Sequence, residues 1–283
     1  MKTDFFLGLN AKGFHKIAVH QWTPQQAGGV PVVCVHGLTR HGRDFDVLAK
    51  RLSKGCAVYC PDMAGRGQSD DLPDSKSYNF DQYKNDLTAL LARIGAAQVD
   101  WVGTSMGGLL GMMLAALPNT PIRRLVLNDV GPLIPQKSLD RIGTYIGQQP
   151  VFDTVEALEA HMRTIYASFG VPSDKDWAAL AATGHRQRAD GRFVLAYDTK
   201  IADAYKGQNK AVNLWETYDK IACPVLVLRG AQSDLLPREA AQEMTQRGPH
   251  ARLIEIEGCG HAPALMSDEQ IKMIEDFLEG KTK

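Results

Sequence analysis

Short apolar runs rich in β-branched residues alternate along most of the chain with longer segments of helical periodicity. Each run ends at a turn signal, as buried parallel strands usually do, and the runs are residues 30–35, 57–60, 99–102, 125–127, 225–228 and 253–256. Between them, apolar residues at helical spacing predict helices, and the clearest stripe contains Phe80, Tyr83, Leu87, Leu90, Leu91 and Ile94. The alternation predicts an α/β protein in which helices flank a mostly parallel sheet.

The alternation of strands and helices stops between Gly131 and about Trp215. This stretch contains no strong parallel-strand candidate, but it carries another amphipathic helical stripe, formed by Val155, Leu158, Met162, Ile165, Tyr166 and Phe169. One long crossover of ordinary helices is the alternative interpretation, yet about 80 residues is long for a single connection. We therefore expect a helical cap at residues 132–215, inserted into a core made of residues 1–131 and 216–283.

Composition and charge argue against several classes of function. The 283 residues include 32 basic and 32 acidic side chains, and this zero net charge argues against a broad nucleic-acid-binding face. No apolar run approaches the roughly 18 residues that suggest a membrane span, and the apolar stretch near Met1 is too short for a secretory signal. We expect a cytoplasmic protein without a nucleic-acid partner and without membrane association.

The cysteine and glycine patterns do not indicate a bound metal or cofactor. The cysteines lie far apart and show no metal-binding spacing, which is typical of reduced thiols in a cytoplasmic core: Cys34, Cys56, Cys60, Cys223 and Cys259. A glycine-rich turn at residues 62–69 could suggest phosphate binding, but the strand–helix fingerprint of a dinucleotide site is missing around it. The sequence predicts no metal and no cofactor.

A candidate nucleophile lies in the segment Gly103-Thr104-Ser105-Met106-Gly107, between a predicted strand and an apolar helix. This is a G-x-S-x-G elbow in the structural setting that the motif requires. The tight turn leaves no room for side chains two residues before and two residues after the serine, which explains Gly103 and Gly107. Ser105 is then presented near a helix N-terminus, where backbone N–H groups favour developing negative charge.

A nucleophilic serine needs a base, and His261 is the best candidate. It follows the last predicted strand in the flexible segment Gly258-Cys259-Gly260, a location suited to presenting an imidazole. The alternative is a structural histidine with satisfied hydrogen bonds. We expect His261 to act as the general base for Ser105.

Two aspartates compete to orient the imidazole of His261. Asp234 follows the predicted strand at residues 225–228, and Asp129 follows the strand at residues 125–127. Both give the chain order serine, acid, histidine, and both could instead cap helices or close turns. We favour Asp234 and keep Asp129 as the alternative.

With these motifs the chain resembles the α/β-hydrolase family over nearly its whole length. The pair His36-Gly37 matches the oxyanion loop of that family, and the resemblance implies an oxyanion hole formed by the backbone N–H groups of Leu38 and Met106. It also implies that His36 braces the loop, and that the turn at residues 62–69, which matches the pattern D-x-x-G-x-G-x-S, is structural. The commoner position of the catalytic acid in this family is that of Asp234.

The resemblance implies hydrolysis through an acyl-enzyme. A serine at the elbow disfavours the dehalogenases and epoxide hydrolases of the family, which use an aspartate there. We expect a carboxylesterase-like serine hydrolase acting on a small or medium, partly apolar, ester-like molecule. A carbon–carbon bond hydrolase of ring-cleavage products, a lactonase and a non-catalytic binding protein are the alternatives. Arg40, just after the oxyanion loop, is a possible substrate contact, although Asp44 could neutralise it.

Overall fold

An eight-stranded sheet forms the centre of the computed structural model, which describes residues 1–24, 28–206 and 211–281. The strands lie in the order β1-β2-β4-β3-β5-β6-β11-β12. The first two pairs of neighbours are antiparallel and the other five are parallel, which confirms the predicted α/β class. The strands of this sheet span β1 Lys2–Asn10, β2 Gly13–Trp22, β3 Val32–Val35, β4 Val58–Pro61, β5 Val99–Thr104, β6 Ile122–Asn128, β11 Val225–Gly230 and β12 Arg252–Ile256.

Helices cover both faces of this sheet. Their bounds are α1 Asp46–Leu52, α2 Phe80–Ile94, α3 Met106–Ala115, α4 Gln136–Tyr145, α5 Val155–Ile165, α6 Asp174–Thr183, α7 Lys200–Lys206, α8 Trp215–Tyr218, α9 Arg238–Met244 and α10 Asp268–Leu278. Helix α2 shows why the sequence folds in this way locally. The Asn79 side chain accepts a hydrogen bond from the Gln82 backbone N–H at its start, and Gly95 ends it in the left-handed conformation.

The two faces of the sheet bury separate apolar clusters. Adjacent residues of β5 point to opposite sides, so that Trp101 belongs to one cluster and Val102 to the other. Trp101 is fully buried and donates its indole N–H to the Gly107 carbonyl at 3.1 Å. The core therefore fixes the start of α3, where the candidate nucleophile lies.

The N-terminal hairpin was not predicted from the sequence. Strand β1 pairs with β2, and it exposes Phe5, Leu7 and Leu9 while it buries Phe6 and Gly8. Apolar residues thus face both sides of β1, and the expected alternation of apolar and polar positions is lost.

The segment at residues 132–215, which we call the cap segment, contributes no strand to the central sheet in its described part. It contains four helices of more than one turn, α4 to α7, and short strands at β7 Leu133–Ile134, β8 His185–Gln187, β9 Phe193–Leu195 and β10 Val212–Asn213. Strands β7 and β10 pair with each other near the two ends of the segment. The division of the chain into a core and a cap domain stays a prediction.

Candidate active site

Ser105 lies in the turn between β5 and α3 with a left-handed backbone conformation, φ 52° and ψ −115°. Non-glycine residues adopt this region only where the surrounding structure enforces it. A Cβ atom on Gly103 would overlap the Gly107 backbone, and one on Gly107 would overlap the Val35 carbonyl. Both glycines are therefore required by the close approach of β3, β5 and α3.

His261 stands between Ser105 and Asp129. Its Nε2 atom is 3.0 Å from Ser105 Oγ, and its Nδ1 atom is 2.8 Å from Asp129 Oδ2. A carboxylate only accepts hydrogen bonds, so Nδ1 carries the proton and Nε2 is left to accept one from the serine hydroxyl. Ser105, His261 and Asp129 are therefore connected by hydrogen bonds in the arrangement that a nucleophile, base and acid require.

The Asp129 carboxylate is fully buried and held by three donors. The Gly230 backbone N–H donates to Oδ1 at 2.8 Å, and the Ser233 hydroxyl donates to Oδ2 at 2.6 Å, next to the bond from His261. Ser233 in turn accepts hydrogen bonds from the Leu235 and Leu236 backbone N–H groups. We did not predict Ser233, and a loop serine carries no sequence signal that distinguishes it from an ordinary turn residue.

The expectation that Asp234 orients His261 is wrong. Asp234 is about half exposed, and its carboxylate binds Arg141, with Nε at 2.5 Å and Nη2 at 3.0 Å. Strands β6 and β11 are parallel neighbours with Asn128 opposite Leu228, so Asp129 and the loop of Asp234 follow the same edge of the sheet. The hydrogen bond of His261 nevertheless goes to Asp129, which directly follows the end of β6, whereas Asp234 lies four residues beyond the end of β11.

The loop after β3 is held by its own histidine. His36 Nδ1–H donates to the Gly37 carbonyl at 2.7 Å, while Nε2 accepts from the Met63 backbone N–H at 2.9 Å. Burial lowers the pKa of His36 to about 3. Arg66 binds the Leu38 carbonyl through Nε at 2.9 Å and fixes the next residue of the loop. His36 therefore has the bracing role that the family resemblance implied.

The glycine-rich turn at residues 62–69 is closed by Asp62. Its carboxylate accepts hydrogen bonds from the Gly42 and Gln68 backbone N–H groups and from His20. Burial alone would raise the pKa of Asp62, but the bond and the charge of His20 and the remaining contacts lower it to about 2. A Cβ atom on Gly67 would overlap this carboxylate, so the glycine serves the packing of the turn.

Ser105 lines two cavities. The large cavity has a volume of about 460 Å³ and is lined by His36, Gly37, Leu38, Thr39, Arg40, Asp44, Phe45, Thr104, Ser105, Arg141, Ile142, Tyr145, Ile165, Tyr166, Ser168, Phe169, Leu180, Gln232, Asp234, Gly260, His261, Ala262, Pro263, Ala264 and Met266. The small cavity has a volume of about 120 Å³ and is lined by Leu38, Tyr78, Asn79, Phe80, Tyr83, Ser105, Met106, Leu109, Ile134, Leu139, Ile142, Ile201, Ala204, Tyr205, Val212 and Leu235. Leu38 and Met106, the residues expected to form the oxyanion hole, thus lie beside the nucleophile.

Arg40 reaches the large cavity but already has a carboxylate partner. Its Nε and Nη2 atoms bind Asp44 at 2.7 and 2.5 Å, and its guanidinium carbon lies 4.6 Å from the centre of the Tyr166 ring. Burial disfavours the charged form, yet the charge of Asp44 keeps the pKa of Arg40 above its ordinary value. A contact between Arg40 and substrate stays a prediction.

Two further observations limit the chemistry of the described residues. They contain no cluster of three or more histidine, cysteine, aspartate or glutamate side chains arranged to hold a metal ion. They also contain no helix long and apolar enough to cross a membrane.

Comparisons with known proteins show the family of the chain. A family profile described as alpha/beta hydrolase fold matches residues 30–265. The 3-hydroxybutyrate-oligomer hydrolase of Cupriavidus necator is 43% identical, over 99% of this chain and 98% of its own length. The 2-(acetamidomethylene)succinate hydrolase of Mesorhizobium japonicum is 26% identical, over 90% of each protein.

The same architecture occurs in solved structures. The crystal structure of an alpha/beta hydrolase from Novosphingobium aromaticivorans superimposes with a TM-score of 0.87 at 36% identity, over 98% of both chains. The residues that the family profile matches include β3, the segment of Ser105 and the loop of His261. The chain belongs to the alpha/beta hydrolase fold family, and it is a hydrolase.

Proposed function

We propose that this hydrolase cleaves carboxylic esters through an acyl-enzyme formed on Ser105. The observation that carries the proposal is the position of His261, with Nε2 3.0 Å from Ser105 Oγ and Nδ1 2.8 Å from Asp129 Oδ2. These distances are within the range in which an imidazole can take a proton from a serine hydroxyl. Asp129, and not Asp234, is the proposed orienting acid.

The proposed cycle uses these groups in two steps. Ser105 Oγ attacks the ester carbonyl while His261 Nε2 takes the hydroxyl proton, and the carbonyl oxygen becomes an oxyanion facing the backbone N–H groups of Leu38 and Met106. The carbon–oxygen bond to the alcohol then breaks, and the alcohol leaves with the proton from Nε2. Water then attacks the acyl-enzyme carbonyl while His261 Nε2 takes one of its protons. The bond between the acyl carbon and Ser105 Oγ breaks, Oγ receives the proton from Nε2, and the carboxylic acid leaves.

The substrate class that we propose is short ester oligomers of hydroxy acids. The Cupriavidus relative is named for hydrolysis of 3-hydroxybutyrate oligomers, and its similarity extends over nearly the whole length of both proteins. A large cavity with charged residues beside the nucleophile suits a compact, partly polar ester. The charged lining makes a long-chain lipid ester a poorer substrate.

Covalent labelling tests the serine mechanism. We expect a fluorophosphonate probe to label the wild-type protein and to leave Ser105→Ala unlabelled, with esterase activity lost in parallel. Ser53→Ala removes a hydroxyl that donates to the Lys50 carbonyl and lines neither cavity. It is the matched control and should be labelled normally. Absence of labelling in folded wild-type protein would refute the serine mechanism.

A substrate panel tests the bond that is cleaved. The 3-hydroxybutyrate dimer and p-nitrophenyl esters of increasing chain length are compared with a lactone and a carbon–carbon ring-cleavage product. Turnover of the dimer and of short esters supports the proposal. Selective hydrolysis of the lactone or of the carbon–carbon bond would assign the triad to one of those reactions instead.

A further inference from the structure

The two cavities that meet at Ser105 differ in chemistry. Around the small cavity the side chains are mainly aliphatic and aromatic, and the tyrosine hydroxyls are already bound within the protein. Tyr78 donates to Asp198, Tyr205 donates to the Leu139 carbonyl, and the Tyr83 oxygen accepts from Arg66. The small cavity therefore presents a mostly apolar surface, whereas the large cavity contains both charged pairs, Arg40 with Asp44 and Arg141 with Asp234.

The position of the base assigns the two halves of an ester to these cavities. His261 lines the large cavity and does not line the small one. The leaving oxygen must come within hydrogen-bond distance of His261 Nε2 to receive its proton. The alcohol half of the substrate therefore occupies the large cavity, and the acyl half lies in the small apolar cavity beside Leu38 and Met106.

The two charged pairs of the large cavity differ in how easily they exchange partners. Arg40 and Asp44 are mostly buried, with 8% and 20% of their side-chain surfaces exposed, so that separating them would leave an unpaired charge with little solvent. Arg141 and Asp234 are 45% and 48% exposed. An exposed ion pair contributes little free energy, and water can solvate Asp234 once it is released. Arg141 is thus the arginine that can accept a new carboxylate.

We propose that Arg141 binds a carboxylate carried by the alcohol half of the substrate, which replaces the carboxylate of Asp234. This inference rests on the proposed ester hydrolysis and narrows it. The preferred substrate is an ester of a short acyl group with a hydroxy acid whose carboxylate is free. Arg141 is a specificity residue, and Asp234 is an internal competitor that occupies the same guanidinium in the absence of substrate.

The test compares the 3-hydroxybutyrate dimer having a free carboxylate with the primary amide of the same dimer. In Arg141→Gln we expect kcat/KM for the acid to fall by about 10- to 100-fold, mainly through KM, because a charge-assisted hydrogen bond is lost. The amide should be affected much less. Arg141→Lys, which keeps the charge, should recover part of the loss, and Asp234→Asn should lower KM for the acid by removing the competitor.

Arg247→Gln is the matched control. Arg247 also forms a bidentate pair, with Asp219, in which 38% and 36% of the side-chain surfaces are exposed, and it lines neither cavity. We expect this variant to hydrolyse both dimers like the wild type. An equal loss for acid and amide in Arg141→Gln, or an unchanged KM for the acid, would overturn the assignment of Arg141.

Failure of this inference is distinguishable from failure of the proposed function. The wild type could be labelled by fluorophosphonate and hydrolyse p-nitrophenyl acetate, yet have the same kcat/KM for the acid and the amide of the dimer. The carboxylate site would then be refuted while the serine mechanism stands. If folded wild type is neither labelled nor active on any ester, the proposed function itself is refuted, and the carboxylate site is refuted with it.

Discussion

Asp129 and Asp234 follow two neighbouring parallel strands, yet they lie in opposite environments. Asp129 is fully buried, and its carboxylate accepts hydrogen bonds from His261, Ser233 and the Gly230 backbone. Asp234 is half exposed and binds Arg141 at the edge of the large cavity. The same side chain at the same edge of a sheet is therefore either buried among hydrogen-bond donors or half exposed in an ion pair, according to the groups around it.

The strand end before Asp129 explains part of this difference. Asn128 donates through Nδ2 to Thr104 Oγ1 at 3.0 Å and to the Pro263 carbonyl at 2.9 Å. It thus ties β6 to the end of β5 and to the loop that carries His261. The loop of Asp234 is also tied to the loop of His261, because the Gln232 backbone N–H donates to the Cys259 carbonyl at 2.9 Å. The Asp234 carboxylate itself, however, binds Arg141 and not the imidazole.

The largest expected difference in activity is between two variants, each of which removes the charge of one aspartate. In Asp129→Asn, kcat for a neutral p-nitrophenyl ester should fall by about 10⁴-fold. The amide favours the wrong imidazole tautomer, and it has no negative charge to stabilise the imidazolium that forms during catalysis. In Asp234→Asn, it should change by less than about threefold. Steady-state kinetics of both variants, with circular dichroism to confirm folding, measure the contrast.

The opposite result for the two variants would contradict the assignment of Asp129 to His261. If a folded Asp234→Asn protein lost several decades of activity while Asp129→Asn stayed active, His261 would have to exchange partners during catalysis. The site seen here would then be an inactive arrangement.

Ser233 sharpens the comparison, because it lies beside Asp234 in sequence but acts on Asp129. In Ser233→Ala we expect kcat to fall by about 10- to 100-fold with little change in KM, since the carboxylate loses one charge-assisted hydrogen bond. The Leu235 and Leu236 N–H groups also lose their acceptor. Ser233→Thr keeps the hydroxyl and should recover most of the loss.

The split between kcat and KM distinguishes positioning from a general loss of structure. If Ser233 holds the carboxylate that orients His261, Ser233→Ala should lower kcat for every ester tested by a similar factor while KM stays nearly unchanged. Ser53→Ala is the control hydroxyl deletion. A folded Ser233→Ala protein with wild-type kcat would show that His261 and Gly230 suffice to hold Asp129.

Much of the fold could be predicted because it is encoded locally. The runs at residues 30–35, 57–60, 99–102, 125–127, 225–228 and 253–256 overlap the parallel strands of the sheet. The elbow at Ser105 has its own local signal in two glycines that no larger residue can replace. The β1 hairpin was missed because its apolar residues lie on both faces.

The partner of His261 could not be chosen from the sequence. Two aspartates in the same chain order, each after a buried strand, carry equal local signals, and only the packed loops show which carboxylate reaches Nδ1. The ion pair of Arg141 with Asp234 could not be predicted either, since it joins α4 to a loop 93 residues further along the chain. Long-range side-chain contacts of this kind leave no periodic pattern.

His36 and His261 both line the large cavity with Ser105, and they differ in exposure, at 1% and 13%. Replacement of the buried His36 gives the smallest expected effect. Its pKa is lowered by burial to about 3 in the folded protein, against an ordinary value of 6.5. Below pH 6.5 the unfolded chain therefore binds a proton that the folded chain does not, so this group contributes stability above pH 6.5 and loses it as the pH falls towards 3. The loss is at most about 1.4 kcal/mol for each pH unit.

Replacing His36 by asparagine removes this dependence. The variant should be less stable than the wild type at pH 7 to 8, since the bond from the Met63 N–H is disturbed. The difference in free energy of unfolding between the two proteins should then shrink as the pH is lowered from 6.5 to 4.5. Only the wild type has a histidine at this position that binds a proton on unfolding, so only the wild type loses this stability. Denaturant unfolding at each pH measures it. A difference that stayed constant over this range would mean that His36 is protonated in the folded protein, and that the oxyanion loop is more accessible to water than its buried histidine indicates.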